Sequence, residues 1–403
     1  MSSAATDERA EGRGRGRIAS FLLDDHRYVL LGTSAMALVG MLLSSSPRPA
    51  LSFLAPAFTV ELVLYYVLAA WLVLSAVALV YKLTHWRTYA EVAPFVRPGA
   101  RRALRYLSYV IWAVALVFVA DRVVMGFASA WQVATTAADR PADEFLTNLL
   151  WMFWTGRQTY LTGIYTTIAL AVFGTVIAFF LALLLVFCRI QAVDRPDNDF
   201  VRFWKVVGRG FAKVYSTVVR GTPMMVQGMI IYYGVVGFIQ ATGSYSGAEL
   251  NRIWSPFIAG LVTVSLNSTA YMMEVLRGGI AAVDSGQMEA ARSLGLSQWQ
   301  AMRKVVFPQG IKNSIPGLSN ELVINIKDSS VLSMISVFDL TFAARTIGGN
   351  YYEYFPAYLV AAVIYLVLTS IATSLLGRGA RHFDVKPQPV GGTADQGLVS
   401  GEE

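Results

Sequence analysis

The chain has 403 residues, 55% of them hydrophobic and only 15% charged, with a formal net charge of +7. That composition excludes an ordinary soluble domain. A single cysteine, Cys188, and three histidines leave no basis for a disulfide framework or a metal cluster. In so apolar a chain the positive balance points to cytoplasmic loops rather than to a nucleic-acid surface.

Residues 1–27, with alternating Arg and Gly from Arg13 to Arg17, read as a disordered cytoplasmic tail. Apolar runs follow at Tyr28–Ser45, Phe53–Tyr81 and Tyr106–Gly126. The first shows no convincing cleavage site and precedes further runs, so it reads as a span and not a signal peptide. A basic loop with Lys82, Arg87, Arg97, Arg101, Arg102 and Arg105 separates the second from the third. Residues 127–157 are mixed. Trp131, Trp151 and Trp154 suit a membrane interface there, and the pattern predicts an amphipathic helix over Asp143–Thr155.

Five more apolar runs cover Tyr160–Phe187, Pro223–Ile239, Pro256–Leu276, Ile311–Val337 and Pro356–Leu376. A spanning helix needs about 20 apolar residues, which these runs approach or exceed. Arg189–Lys213 reads as a charged loop, Gly348-Gly349-Asn350 as a turn in an outer loop, and the segment from Gly377 as a polar, mobile tail. The expectation is an all-α integral membrane protein of about eight transmembrane helices, without an internal repeat. With the N-terminus inside, twenty-five Lys and Arg fall in cytoplasmic pieces and six in outer ones. That bias sets the orientation and places residues 284–309 in the cytoplasm.

The segment 284–309 is more polar than its flanks and reads as two short helices joined at a glycine. Asp284 with Gln287, and Ser297 with Gln300, have capping-box spacing. Gly295 suits a left-handed C′ position, and Pro308 is expected to stop the second helix. Isolated helices shorter than about 12–15 residues are marginal in water, so the pair needs a dock. Exposed Ala290 and Ala291 would let another backbone come close. Two readings stand: a socket for a partner protein, or an ordinary helical hairpin between spans.

Polar residues also form stripes inside two runs. Asn267, Tyr271, Glu274 and Gly278 recur at i, i+4, i+7 and i+11, and Glu321, Asn325 and Asp328 at i, i+4 and i+7. Ionisable groups inside a span default to a functional hypothesis. The candidate substrate path comprises Asn267, Tyr271, Glu274, Asn325, Asp328 and Ser329, whose carboxylates suit an ammonium or cationic side chain. Glu274, three residues before Arg277, either lines that path or fastens its own helix. Arg220 reads as an interfacial anchor. The sequence contains no G-x4-G-K-[ST] phosphate loop, and no nucleophile-elbow or zinc-protease pattern.

Glu289-Ala290-Ala291, Gly295, Val305, Phe307 and Pro308 resemble the EAA loop of ABC-importer permeases, EAA-x3-G-x9-I-x-L-P, with Val and Phe in place of Ile and Leu. Arg220–Gln227 resembles the RGTP stretch of the polar amino-acid uptake family of type I importers. Ala270–Ile280 is similar to that family's AY-x-x-E-x-x-RGGI stretch, and Lys327–Val331 to its KDTSL stretch. The likeness runs from about Tyr160 to Leu376.

The resemblance implies a five-helix permease core at 158–377 with its coupling loop at 284–309. Three extra spans and an outer interfacial segment at 28–157 precede the core, and a cytoplasmic tail at 378–403 follows. It implies coupling contacts at Glu289, Ala290, Ala291, Gly295 and Pro308. The implied partners are an ATP-binding subunit dimer, a second permease subunit (the same chain or a homologue) and an extracellular substrate-binding protein. No nucleic acid is implied. ATP and Mg would be bound by the partner ATPase, with no cofactor or metal in this chain, which would be a transporter subunit and not an enzyme. The expected location is a prokaryotic inner membrane, multi-pass, with both termini cytoplasmic. The expected cargo is a polar or charged L-amino acid moved by alternating access. The alternative is an ion-coupled secondary amino-acid transporter, which has no need of a cytoplasmic socket.

Overall fold

The structure, a computed structural model, describes residues 32–85, 94–141, 144–191, 193, 197–243 and 245–382. Several expectations lie outside those residues: the tail at 1–27, the start of the first run at Tyr28, Arg87, Asp143, and the tail beyond residue 382. Among the described residues all regular structure is helical. The chain divides into two compact units, residues 1–151 and 152–403.

In the first unit, α1 (Gly32–Ser44) packs with α2 (Phe58–Thr84) and α3 (Pro98–Val119). Leu68, Trp71, Ile111 and Phe118 are buried among them, while Tyr66, Val73, Tyr106 and Tyr109 face outward. Helices apolar on all sides are what a bilayer selects. A β-carbon at Gly40 would stand 2.7 Å from Leu68 Cδ1, so a larger residue there would push α1 off its neighbours. A π-helical turn, Ala120–Val124, carries α3 into α4 (Met125–Thr136).

Successive residues on an α-helix diverge by about 100°, yet Asp121 and Arg122 are both buried on the wider turn. Arg122 is paired with Asp121 and with Glu61 of α2. Asp121 also accepts from the Ser52 hydroxyl at 2.8 Å and the Leu54 backbone N–H at 3.1 Å, and Arg48 pairs with Glu61 at 2.9 Å. Two carboxylates and two guanidiniums therefore balance, the condition under which buried charge is tolerated. Helix α5 (Phe145–Thr155) crosses the boundary between the units; its Trp151 Nε1 donates to the Ala137 carbonyl within the first.

The second unit contains α6 (Arg157–Ile190), α7 (Asp199–Arg220), α8 (Met224–Thr242), α9 (Gly247–Ile253), α10 (Pro256–Ala281), α11 (Ser285–Ser293), α12 (Gln298–Ala301), α13 (Phe307–Asp328), α14 (Leu340–Tyr351) and α15 (Tyr354–His382). Side-chain caps begin several of them. Asn198 accepts from the Val201 N–H at 2.8 Å, Ser255 from Ile258 at 3.2 Å, and buried Asp339 from Phe342 at 2.8 Å. Each such cap contributes about 1 kcal/mol. Helix α10 is the centre of the unit, packed between α6 and α13 and touched by α7 and α8.

Lipid tails are as apolar as leucine, so helices in a membrane associate through close packing of small residues. Ala171, Gly174, Ala178 and Ala182 lie buried along α6. Where α10 crosses α13, a β-carbon at Gly279 would fall 2.6 Å from the Gly310 carbonyl oxygen, and one at Gly310 would fall 2.8 Å from Ile280 Cα. No side chain fits at that crossing.

Among the described residues, five helices are long and apolar enough to cross a membrane: Ala55–Thr84, Pro98–Thr136, Arg157–Ile190, Met224–Thr242 and Tyr354–Gly379. A sixth crossing is made if Gln298–Ile335 and Leu340–Tyr351, bent by 51°, count as one. The expected eight is not reached on length and apolarity. Helix α1 has only 13 described residues, and α10, although 26 residues long, is too polar to pass. Thr263, Ser265, Ser268 and Thr269 of α10 are buried among other helices, which makes that composition tolerable.

Other expectations are corrected. The charged loop at Arg189–Lys213 is mostly α7, an amphipathic helix whose charges had hidden its period. The Gly348-Gly349-Asn350 turn lies inside α14; Gly348 is small because Tyr354 Cα packs 3.1 Å from where its β-carbon would be. The left-handed residue that ends that helix is Tyr352, at φ 56°. Helix α15 continues through Gly377 to His382 before any tail can begin.

Candidate functional site

Helix α11 ends as its sequence predicts. Gly295 has φ +86°, its N–H donates to the Arg292 carbonyl, and the Leu296 N–H donates to the Ala291 carbonyl. This is the double bond pattern of a Schellman end. Ser297 and Gln300 form a reciprocal capping box. Asp284 caps α11 through the Gly286 N–H at 2.7 Å, but Gln287 does not complete a box and instead meets Gln309.

Pro308 does not stop the second helix. A π-helical turn, Met302–Val306, carries α12 into α13, and Pro308 sits in the first turn of α13. Proline is tolerated where the helical ladder is already interrupted. Ala291, expected from the sequence to be exposed, is instead only 4% exposed and packs inward. Glu289, Ala290, Gly295 and Pro308 do face outward, together with Leu294 at 85% exposure. The segment thus offers a partly apolar knuckle seated on α6, where the Phe187 ring lies 4.5 Å from Phe307 and 6.2 Å from Trp299.

A second feature is a cavity of about 510 Å³ lined by residues of α7, α8, α10 and α13. That size is usual for small-molecule sites, which run from about 300 to 1,000 Å³. Asn267, Tyr271, Asn325 and Asp328 line it, so four of the six expected path residues come together. Asn267 Nδ2 donates to Gln227 Oε1 at 3.1 Å. Asn325 accepts from the Ser268 hydroxyl and donates to Thr175, both at 2.8 Å, which pins α13 to α10 and α6.

Glu274 and Ser329 do not line the cavity. Glu274 is tied to Arg277 at 2.6 Å, accepts from Ser216 at 3.2 Å, and has Arg189 at 4.0 Å. Of its two readings the fastening one matches this geometry. Ser329 is fully buried and donates to the Ile326 carbonyl at 2.9 Å.

The cavity has two further charged walls. Glu321 completes the α13 stripe, and its i, i+4, i+7 spacing with Asn325 and Asp328 was the available signal. Arg220, read from the sequence as an interfacial anchor, lines the cavity with Thr222 and Pro223. Helix α7 ends there because Gly221-Thr222-Pro223 cannot continue it, and the break leaves Arg220, itself exposed, on the cavity wall. Its guanidinium carbon stands 5.5 Å from the centre of the Tyr271 ring, a cation–π geometry. Beyond Asp328 the α13 helix gives way to a tight 3-10 stretch, Ser329–Ile335, ending at left-handed Ser336. The cavity therefore sits at a break in a helix, where transporters place binding groups. Lys327 is exposed and does not line it. Among the described residues no cluster of His, Cys, Asp and Glu could hold a metal ion.

Residues 202–383 match the family described as "Binding-protein-dependent transport system inner membrane component". The chain is 37% identical over 213 residues to a relative named for glutamine transport, GlnP of Rickettsia bellii, covering 53% of this chain and 85% of that one. It is 34% identical over 213 residues to the arginine transport system permease protein ArtQ of Bacillus subtilis, covering 53% of this chain and 87% of that one. The crystal structure of an amino acid ABC transporter with histidines shares 32% identity, covers 60% of this chain and 100% of that one, and superposes with a TM-score of 0.49. With relatives covered almost end to end and the RGTP, EAA and KDSS stretches in place, the chain belongs to the amino-acid ABC permeases, multi-pass membrane subunits whose ATPase resides in a partner, and this membership favours the importer over the ion-coupled alternative.

Proposed function

We propose that this subunit imports a polar amino acid through the cavity between α10 and α13. The single observation that supports this most is the pairing of opposite charges on its walls: Arg220 on one side, Glu321 and Asp328 on the other. A zwitterion needs both. The guanidinium suits the α-carboxylate as a planar donor, and the carboxylates suit the α-ammonium or a cationic side chain. Relatives are named for glutamine and arginine transport, which share that zwitterionic head and differ beyond it.

In this reading the 284–309 segment takes the stroke of an ATP-binding dimer, with Glu289, Ala290, Gly295 and Pro308 as its outward contacts and Ala291 packed behind them. ATP and Mg²⁺ belong to that dimer. A second permease, either the same chain or a homologue, completes the pore, and an extracellular binding protein delivers cargo. The membrane is the prokaryotic inner membrane, with both termini and the coupling segment in the cytoplasm. Alternating access follows when the knuckle moves and shifts α6 and α13, on which it is seated.

Uptake into vesicles holding the whole complex, competed by glutamate, glutamine, arginine and histidine, tests the cargo. ATP-dependent uptake of at least one, suppressed by its competitors, is expected; uptake of none sinks the reading. A Ser297→Cys label reached only from the ATPase side tests the orientation, and labelling from the opposite side overturns it.

A further inference from the structure

Helix α7 has two faces that the transport reading leaves unused. Phe200, Phe203, Trp204, Val207, Phe211 and Val214 recur at three- and four-residue steps, and every one is exposed. On the opposite face stand Arg202, Arg209 and Lys213, also exposed. Between them a narrow strip of Gly208, Ala212 and Ser216 packs on α6 and α10. A helix fastened to protein along one edge, apolar on one side and basic on the other, matches the boundary between bilayer and water. A tryptophan in that apolar face suits the headgroup level.

A cleft of about 350 Å³ opens between the end of α6 and the start of α7. Phe187 and Cys188 of α6 and Phe200, Val201, Trp204 and Gly208 of α7 give it an apolar lining. Two cations edge it. Lys205, a lining residue, pairs with Asp197 at 2.7 Å, and Arg209 donates to the carbonyl of lining residue Gln191. Asp197 opposes an anion, but Lys205 offsets it and Arg209 leaves the rim positive, while on the helix beyond the cleft exposed Asp199 is outnumbered by Arg202 and Lys213. An apolar slot under a positive rim, on an interfacial helix, has the chemistry of a phospholipid with a negative headgroup. The wall residue Phe187 also packs on Phe307 and Trp299 of the coupling segment.

We propose that this cleft seats an acyl chain of an anionic phospholipid from the leaflet nearest the coupling segment, its headgroup held by Lys205 and Arg209 in the positive field to which Arg202 on the same helix adds, and that the seated chain braces Phe187 against that segment. The lipid site itself does not depend on the transport reading; only the bracing does.

The test uses the whole complex with its ATP-binding partner in nanodiscs of phosphatidylcholine with or without phosphatidylglycerol. A trace of phosphatidylglycerol carrying a diazirine on its acyl chain should crosslink within residues 187–208, and unlabelled phosphatidylglycerol should compete better than phosphatidylcholine. Each basic residue near a charged surface is worth about fivefold in binding, so Arg202→Gln with Arg209→Gln should weaken competition by an order of magnitude or more. Cys188 is the only cysteine, so in the unaltered protein its maleimide labelling should slow when phosphatidylglycerol is present. Crosslinks spread over α6 and α15 alike, or equal competition by the two lipids, overturn the site. If crosslinking stands but ATP hydrolysed per amino acid is the same in both lipids, the bracing is overturned.

Discussion

The guanidinium of Arg220, the last residue of α7, lies over the ring of Tyr271 in α10, 5.5 Å from its centre. That contact joins the RGTP break to the central helix and sets one wall of the cavity. Both residues are exposed, and a cation–π pair at such a site is worth about 0.5–1 kcal/mol. Tyr271→Phe keeps the ring face and should leave the half-saturation concentration for uptake near wild type. Tyr271→Ala should raise it about two- to fivefold, since about 1.4 kcal/mol is a factor of ten. Equal effects of the two changes would show that the hydroxyl, and not the ring, matters.

Removing a carboxylate should act on cargo binding. Hydrogen bonds to charged groups contribute about 1.5–3 kcal/mol, so Asp328→Asn and Glu321→Gln should each weaken apparent affinity by roughly 10- to 100-fold. The complex should still assemble, because neither change alters volume. Unchanged uptake in both variants would remove the cavity from the transport path.

Glu274→Gln should behave differently. Its carboxylate is 17% exposed and ties α10 to α7 and α6 through Ser216 and Arg189. Partly exposed ion pairs contribute at most about 1 kcal/mol, so the melting temperature of the complex should fall slightly while affinity stays unchanged. A shift in affinity with no loss of stability would return Glu274 to the path.

Gly295→Ala tests the coupling segment through the backbone alone. No atom lies within 4 Å of the position a β-carbon would take, yet φ is +86°. A side chain in that region costs about 1–2 kcal/mol, which is enough to shift a short exposed segment. ATP hydrolysed per amino acid transported should rise while the spans insert normally. A wild-type ratio would mean that the turn's shape is not what the ATPase reads.

Gly279→Val tests the crossing of α10 and α13. The added atoms would meet the Gly310 carbonyl oxygen, 2.6 Å from the first of them. Overpacking typically costs about 1–3 kcal/mol, and here the obstacle is backbone, so the variant should melt well below wild type. Gly278→Ala, one residue earlier with open space around it, should not. Similar melting of the two would remove close packing as the reason for the glycine.

Much was legible without coordinates because it depends on neighbours in the chain. Apolar runs near 20 residues placed α2, α6, α8 and α15. Gly295 announced a left-handed turn because only glycine takes it freely, and Ser297 with Gln300 announced a cap. The carboxylate stripe of Glu321, Asn325 and Asp328 followed from helical spacing.

What depends on distant partners was not legible. Spacing put Glu274 on the same stripe as Asn267 and Tyr271, but Arg277, Ser216 and Arg189 decide that it fastens helices. The charges of α7 read as a loop because they lower its hydropathy below that of a span, and only a narrow strip of the helix packs on other helices while its apolar face stays exposed. Pro308 read as a stop because a sequence does not show the π-helical turn that accommodates it. Arg220 faces the cavity only because the chain breaks after it and Tyr271 waits across the gap. Backbone preference and spacing are local and travel with the sequence; which charge meets which is settled by the packing of helices far apart in it.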